Sequence, residues 1–301
     1  MNTRVRPSRQ AGTRPANVYC PMLNSATTRV PATTANLGPG YDCLGIALQI
    51  YNRVTVRRSE GGVALAGMVE KAADSFFDAA AVPSFPFSWE IEGDVPQSRG
   101  MGSSVTVRLG LLHGLNRLAE SPLGPEVLFE LCAKLEGHPD NAAPAAFGGF
   151  TVAGGPRLAR FAVADDLQFV LLIPDFEIST PEARKVLPPQ LDRLAAVASC
   201  TNACRITAAF ASGDYELLRG AFVDGLHQPF REKLIPFLPA VIAAGEKAGA
   251  LGGFLSGSGS TICCVTKQNA DAVAAAMLRA ADSGGARTIV TRADNSGVRA
   301  E

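Results

Sequence analysis

Short apolar runs alternate with polar, glycine-rich breaks along this chain, and their spacing sets out its elements. Ile46, Leu48, Ile50, Val54 and Val56 recur at every second position, with a shift at Tyr51 and Asn52. That period predicts a half-buried strand. Phe87, Trp89 and Ile91 alternate within Phe85–Glu92 and predict another. Phe169–Ile173 is nearly all apolar, as expected of a buried strand. Elsewhere the period is helical. Residues 63–83 predict a helix around Val69–Phe77. Val105, Leu109 and Leu112 predict one that runs to about Leu118, and Leu128, Leu131, Cys132 and Leu135 predict a short one over Val127–Leu135. Residues 189–225 read as helices around a stripe of Leu191, Leu194, Val197, Ile206, Phe210, Leu217 and Phe222. Pro239–Lys247 and Asn269–Ala281 predict two more helices, Gly252–Val265 a strand–turn–strand, and Thr288–Val290 a last short strand. Strands interleaved with helices indicate a mixed α/β or α+β fold.

Composition narrows the class. The 301 residues suffice for one large domain or two ordinary ones, and 47% hydrophobic residues can fill a substantial core. With 28 basic and 28 acidic residues, neither nucleic acid nor a membrane surface is an expected partner. The seven cysteines include no CxxC spacing, and with three histidines they form no zinc pattern. Free thiols in a reducing compartment, the cytoplasm, fit best. No apolar run is expected to reach the ~18–20 residues of a membrane span. Residues 1–26 carry Arg4, Arg6, Arg9 and Arg14 without periodicity or an apolar signal core, and read as a poorly ordered tail. No acidic residue precedes Asp42, which leaves a transit-like peptide open.

Four stretches carry candidate chemistry. PQSRGMGSSVT, Pro96–Thr106, places glycines where a loop becomes a helix. Glycine admits close backbone approach, and a helix N-terminus offers unpaired N–H donors to a phosphate. A plain turn capped by Ser103 or Ser104 accounts for the string equally well. Asn36 and Asp42 bracket the Gly38-Pro39-Gly40 turn, as site residues or as turn residues bonding their own backbone. Glu136, His138, Asp140 and Asn141 crowd into six residues before a tight Ala/Gly run and suggest a site, in which Glu136 can hold a cation. Ser179-Thr180-Pro181 marks a helix start that sets Thr180 and Arg184 on one face. Taken alone, Arg184 reads more readily as a surface arginine.

PATTANLGPGYDCLGIAL, PQSRGMGSS, EGHPDNAAPAAFGG, STPEARKVLP, LHQPFR and GFLSGSGST stand in the order seen in homoserine kinases, and the chain resembles that branch of the GHMP kinase superfamily from about Thr27 to Thr291. The resemblance implies an α+β GHMP kinase fold. Its N-terminal domain, like the second domain of ribosomal protein S5, would span 27–165 and a ferredoxin-like C-terminal domain 166–301. It implies transfer of the ATP γ-phosphate to the side-chain hydroxyl of L-homoserine, in threonine biosynthesis. ATP would lie on Pro96, Gln97, Ser98, Arg99, Gly100, Met101, Gly102, Ser103, Ser104, Val105 and Thr106, with Gly257 and Gly259 approaching from the other domain. Mg²⁺ would be held by Ser104 and Glu136. Asn36 and Asp42 match positions near the substrate hydroxyl, and Thr180 one near the transferred phosphate. Asp140 matches the partner of the substrate ammonium and Arg184 and Arg231 those of its carboxylate, with His138 and Asn141 lining the same pocket. Guanidinium forks suit a carboxylate, so the residue chemistry agrees. Dimers are common among such kinases, although no stretch marks an interface. The pattern departs in the loop, where Val105-Thr106 replace the more usual Ala-Ala. Two β-branched residues at a tight helix start carry an expectation of altered nucleotide affinity.

Overall fold

The computed structural model describes residues 23–61, 67–155, 157–281 and 285–301. The tail expected over 1–26 lies outside them up to residue 22, and the first strand already begins at Ser25.

The N-terminal sheet is built on a long hairpin, β1 (Ser25–Ala35) with β2 (Leu44–Arg58). Strand β3 (Phe87–Gly93) pairs with the C-terminal half of β2, and β4 (Phe150–Val152) with its start. Strand β5 (Ala159–Phe161) extends β4. The register of β1 on β2 shifts between Pro31 and Ala32, opposite Tyr51 and Leu48. This is where the apolar alternation of β2 shifts in the sequence, and its consequence is a change of face. Leu44, Ile46, Leu48 and Ile50 join the core between the sheets, whereas Val54 and Val56 join the core under the helices. Those helices are α1 (Gly67–Ala80), α2 (Ser103–Leu118), α3 (Pro125–Glu136) and α4 (Ala142–Phe147).

The second sheet, in the order β7-β8-β6-β9, is antiparallel throughout: β6 (Gln168–Ile173), β7 (Gly252–Leu255), β8 (Ile262–Thr266) and β9 (Arg287–Arg292). The apolar run of β6 is explained by burial on both faces. Phe169, Leu171 and Ile173 point to the inter-sheet core, and Val170 and Leu172 to a core shared with α8 (Leu238–Lys247) and α9 (Ala270–Ala280). Between β6 and β7 come α5 (Thr180–Lys185), α6 (Arg193–Ser212) and α7 (Gln228–Arg231).

Three expectations are corrected. The chain does not stay in its second half to the end: β10 (Arg299–Ala300) pairs with β1, and Ala293 bridges to Leu48, so the last residues return to the N-terminal sheet. The stripe over 189–225 is buried only in part. Ile206 and Phe210 pack into the core, but Leu191, Leu194 and Val197 are exposed. Finally, α6 is long and apolar enough by length and composition to cross a membrane. Arg193 and Arg205 interrupt that stretch in sequence, and within the fold 22% of it is buried, including Ile206, Ala209 and Phe210.

Candidate active site

Both lobes open onto one cleft of about 730 Å³. One side is backbone. Gly102 caps α2 in the left-handed region (φ 68°), and no side chain caps the helix. Thr106 is the first residue whose N–H bonds back, to Gly102 O at 3.0 Å, so the N–H groups of the first turn are open to the cleft. The serines therefore do not cap, and the capped-turn reading fails. Gly100 (φ 73°) lies against the second glycine turn, where a Cβ would strike the carbonyl oxygen of Ser256, and at Gly102 a Cβ would strike Thr33 Oγ1. The two turns are pinned together. Ser256 Oγ donates to Gly100 O (2.7 Å), Thr261 N–H to Arg99 O (3.2 Å) and Gly257 N–H to Ala35 O (3.0 Å). A row of open amides at a helix start, walled by glycines that admit no side chain, fits a triphosphate. Beside it, Ser104 Oγ donates to Glu136 Oε2 (3.0 Å), and Arg108, one turn further along α2, pairs with Glu136 Oε1. A hydroxyl and a carboxylate are hard oxygen donors of the kind Mg²⁺ takes.

The other side is made of side chains. Asn36 and Asp42 both hold left-handed backbone (φ 70° and 59°), and Asn36 Oδ1 accepts the Asp42 N–H (2.9 Å). Asn36 Nδ2 donates to Gly257 O (2.9 Å), and so does Arg231 Nη1, at the same distance. That carbonyl joins the Asn36 turn of the first lobe to α7 of the second. Arg231 is 2% exposed and further fixed by Nε donating to Ala183 O (3.1 Å). Its Nη1 also donates to His227 Nδ1 (3.1 Å), while His227 Nε2 donates to Gly38 O (2.8 Å). His227 is thus the neutral Nε2–H tautomer, and burial presses its pKa down to about 4. Arg184 Nη2 donates to Asp42 Oδ1 (2.7 Å) across the cleft mouth, and both guanidinium carbons sit 5.5 Å from the Tyr41 ring centroid. Opposite these arginines, buried Asp140 accepts at Oδ1 from the Asn141 N–H (2.9 Å) and shares a 2.6 Å bond with His138 Nδ1. That bond raises the His138 pKa above its ordinary value. Asp42, His138 and Asp140 bring ligand atoms within 4.8 Å of one another, an arrangement the cysteine and histidine spacing did not suggest. A carboxylate and two guanidinium groups lining one cleft are the groups that a zwitterion's ammonium and carboxylate need.

The family models describe the same two halves. The GHMP kinases N terminal domain matches residues 67–149, and the GHMP kinases C terminal model matches 206–283. The chain is 42% identical to a homoserine kinase of Clostridium beijerinckii over 79% of its own length and 85% of that protein. It is also 42% identical to one of Synechococcus, over 83% and 88%. The chain belongs to the homoserine kinase family. Among solved structures, the homoserine kinase of Cytophaga hutchinsonii superposes with a TM-score of 0.86 at 25% identity, over 95% of this chain and all of that one. A mevalonate kinase shares the fold at a TM-score of 0.70 and 13% identity.

The cleft collects nearly all the residues expected from the homoserine kinase resemblance. Asn36, Asp42, Gln97, Ser98, Arg99, Gly100, Met101, Gly102, Ser103, Ser104, Val105, Glu136, His138, Asp140, Asn141, Thr180, Arg184, Arg231 and Gly257 all line it. Pro96 lines a neighbouring cavity of about 250 Å³ instead. Gly259 is turned inward, toward Ile235 and Leu255. Thr106 is fully buried, and its Oγ1 donates to Ser103 O (2.7 Å) and accepts from Asn52 Nδ2 (2.8 Å). The departure from Ala-Ala is therefore a packing device: Val105 fills the helix-side core, and Thr106 ties α2 to β2. Sequence reasoning missed Thr33, Tyr41, Arg108, His227 and Ser258. Thr33 Oγ1 donates to Asn141 Oδ1 (2.7 Å), and Ser258 Oγ lies 3.4 Å from Thr180 Oγ1. It also missed the apolar end of the cleft, where Met68, Trp89 and Ile91 stay partly exposed.

Proposed function

We propose that this chain transfers the γ-phosphate of ATP to the side-chain hydroxyl of L-homoserine, giving O-phospho-L-homoserine and ADP in threonine biosynthesis. The single observation that carries this reading is the pairing, in one cleft, of an amide-lined glycine cradle with Asp140 on one side and Arg184 and Arg231 on the other. Asp140 would take the ammonium, and the two arginines the carboxylate. Arg231, immobilised by four contacts, acts as the fixed point of that clamp. The substrate's remaining end, its hydroxyl, then falls toward Asn36, Asp42 and the glycine loop.

Phosphoryl transfer is catalysed chiefly by positioning and charge neutralisation. The hydroxyl oxygen bonds to the γ-phosphorus as the bond to the β-bridging oxygen breaks, and the hydroxyl proton is released. Asp42 orients that hydroxyl. Arg184 on Oδ1 fixes the carboxylate in place, which suits it to orient the hydroxyl. Thr180 and Ser258 stand beside the moving phosphoryl group, and the α2 N–H groups receive its charge. Mg²⁺, when bound, would neutralise phosphate charge, and Ser104 and Glu136 would hold it. Kinetics with Mg-ATP over a panel of alcohols test the assignment. L-homoserine should be turned over and a mevalonate-type hydroxy acid should not, because the latter brings no ammonium to Asp140. Turnover of the hydroxy acid without turnover of L-homoserine would overturn it.

A further inference from the structure

The Glu136 carboxylate has a second partner that the metal reading does not use. Arg108 is four residues beyond Ser104 on α2, so both side chains project from one helix face onto the C-terminal end of α3. Ser104 Oγ takes Oε2 of Glu136 and the Arg108 guanidinium takes Oε1. The pair is largely shielded: the Arg108 side chain is 16% exposed and that of Glu136 9%. Arg108 Nε is buried and, among the described residues, has no partner. Among the described residues, Glu136 is the guanidinium's hydrogen-bond partner and holds it in place.

A divalent cation arriving alone would meet a carboxylate whose charge is already balanced, with a fixed positive group a few ångströms away in a shielded site. Like charges at that range repel strongly once water is excluded. A cation arriving on a triphosphate brings negative charge that satisfies both it and the guanidinium. We propose that Arg108 makes metal capture conditional on nucleotide: by holding Glu136, it keeps free divalent cations out and admits them as the metal–nucleotide complex. Arg108 is thus a positioning residue for Glu136, and the proposal rests on the reading of Glu136 as a metal ligand.

Mn²⁺ titrations of the full-length protein, followed by electron paramagnetic resonance, test this without turnover. Asp42, His138 and Asp140 offer another place for the probe, so the quantity read is Mn²⁺ binding that Glu136→Gln removes. The wild type should show none of it without nucleotide and one equivalent with a non-hydrolysable ATP analogue. Arg108→Met should gain it without nucleotide, with a Kd at least tenfold below the highest Mn²⁺ concentration at which the wild type still shows none, and Arg108→Met/Glu136→Gln should lose it again. Arg108→Lys, which keeps the charge, should behave as the wild type. Glu136-dependent binding of free Mn²⁺ by the wild type would overturn the proposal on unmodified protein, and so would no gain in Arg108→Met. No Glu136-dependent Mn²⁺ even with the ATP analogue would overturn the ligand reading beneath it. Loss of L-homoserine phosphorylation by the wild type would instead count against the proposed function.

Discussion

The two sides of the cleft are built from different material. The side proposed for the nucleotide is a contiguous run of backbone at the start of α2, shaped by Gly100 and Gly102 and walled by the second glycine turn. The side proposed for the acceptor is assembled from Asn36, Asp42, Asp140, Arg184 and Arg231, which lie on four separate segments and meet only through the fold. Backbone donors are present whatever the side chains are, so the first side tolerates Met101, Val105 and Thr106 provided that the glycines remain. Side-chain charges have no substitutes, so the second side tolerates little. Its charges also lean on one another: Gly257 O carries both Asn36 and Arg231, and Asp42 carries Arg184.

If that contrast is right, Arg231→Ala is the most damaging change. It removes a buried charge and empties three hydrogen-bond positions, so kcat/KM for L-homoserine should fall roughly a thousandfold, as when one partner of a buried charged contact is deleted. The KM for ATP, measured in steady-state kinetics, should move far less. A comparable loss on the ATP side would erase the distinction between the two sides.

Acid should destabilise the fold through two shielded histidines, one on α2 and one before α7. His227 and His113 are each held down to about 4, principally by burial. Unfolded, each returns to an ordinary value near 6.5, so below that pH the unfolded state binds more protons. Their stabilising contribution is complete above about pH 6.5 and is lost progressively as pH falls through 4, by roughly 3 kcal/mol for each. Urea unfolding at pH 7 and pH 4.5 should show the loss. His227→Gln should remove about half of it, and an unchanged pH slope would count against a neutral His227.

Gly100→Ala probes the backbone side. The new methyl meets the Ser256 carbonyl in a left-handed conformation, which costs roughly 1–2 kcal/mol before the collision is counted. Nucleotide affinity by calorimetry should drop about tenfold or more, while Met101→Leu should leave it within about twofold. Thr106→Ala is milder. Loss of its bonds to Asn52 and Ser103 should lower stability by about 1 kcal/mol with little effect on the KM for ATP. The smallest effect is expected at His138. Its protonated form neutralises Asp140, so the KM for L-homoserine should fall a few-fold as pH rises through the raised His138 pKa. His138→Gln should flatten that profile.

How far each side could be read beforehand follows from the same contrast. The glycine loop and the strands β2, β3 and β6 show in the sequence because their signals are local: period, glycine spacing, unbroken apolarity. Asn36, Asp42, Arg184 and Arg231 carried no local signal strong enough to exclude a turn or a surface arginine, and the resemblance to homoserine kinases singled them out, whereas the crowding around Asp140 already suggested a site. Neither route found Arg108 or His227, whose roles depend on contacts across 28 and 189 residues of chain. The return of β10 to β1 was hidden likewise, since a two-residue strand has no period to read. Thr106, a puzzle as a departure from Ala-Ala, becomes intelligible once Asn52 is seen beneath it.

In the proposed reaction, one cleft presents ATP and an amino-acid alcohol to each other. Phosphorus NMR of the purified protein with Mg-ATP and L-homoserine tests it most directly. A phosphomonoester resonance should grow in equal measure with ADP, and Asp140→Asn should slow both together. ADP accumulating with inorganic phosphate and no phosphomonoester would rule out transfer to the alcohol.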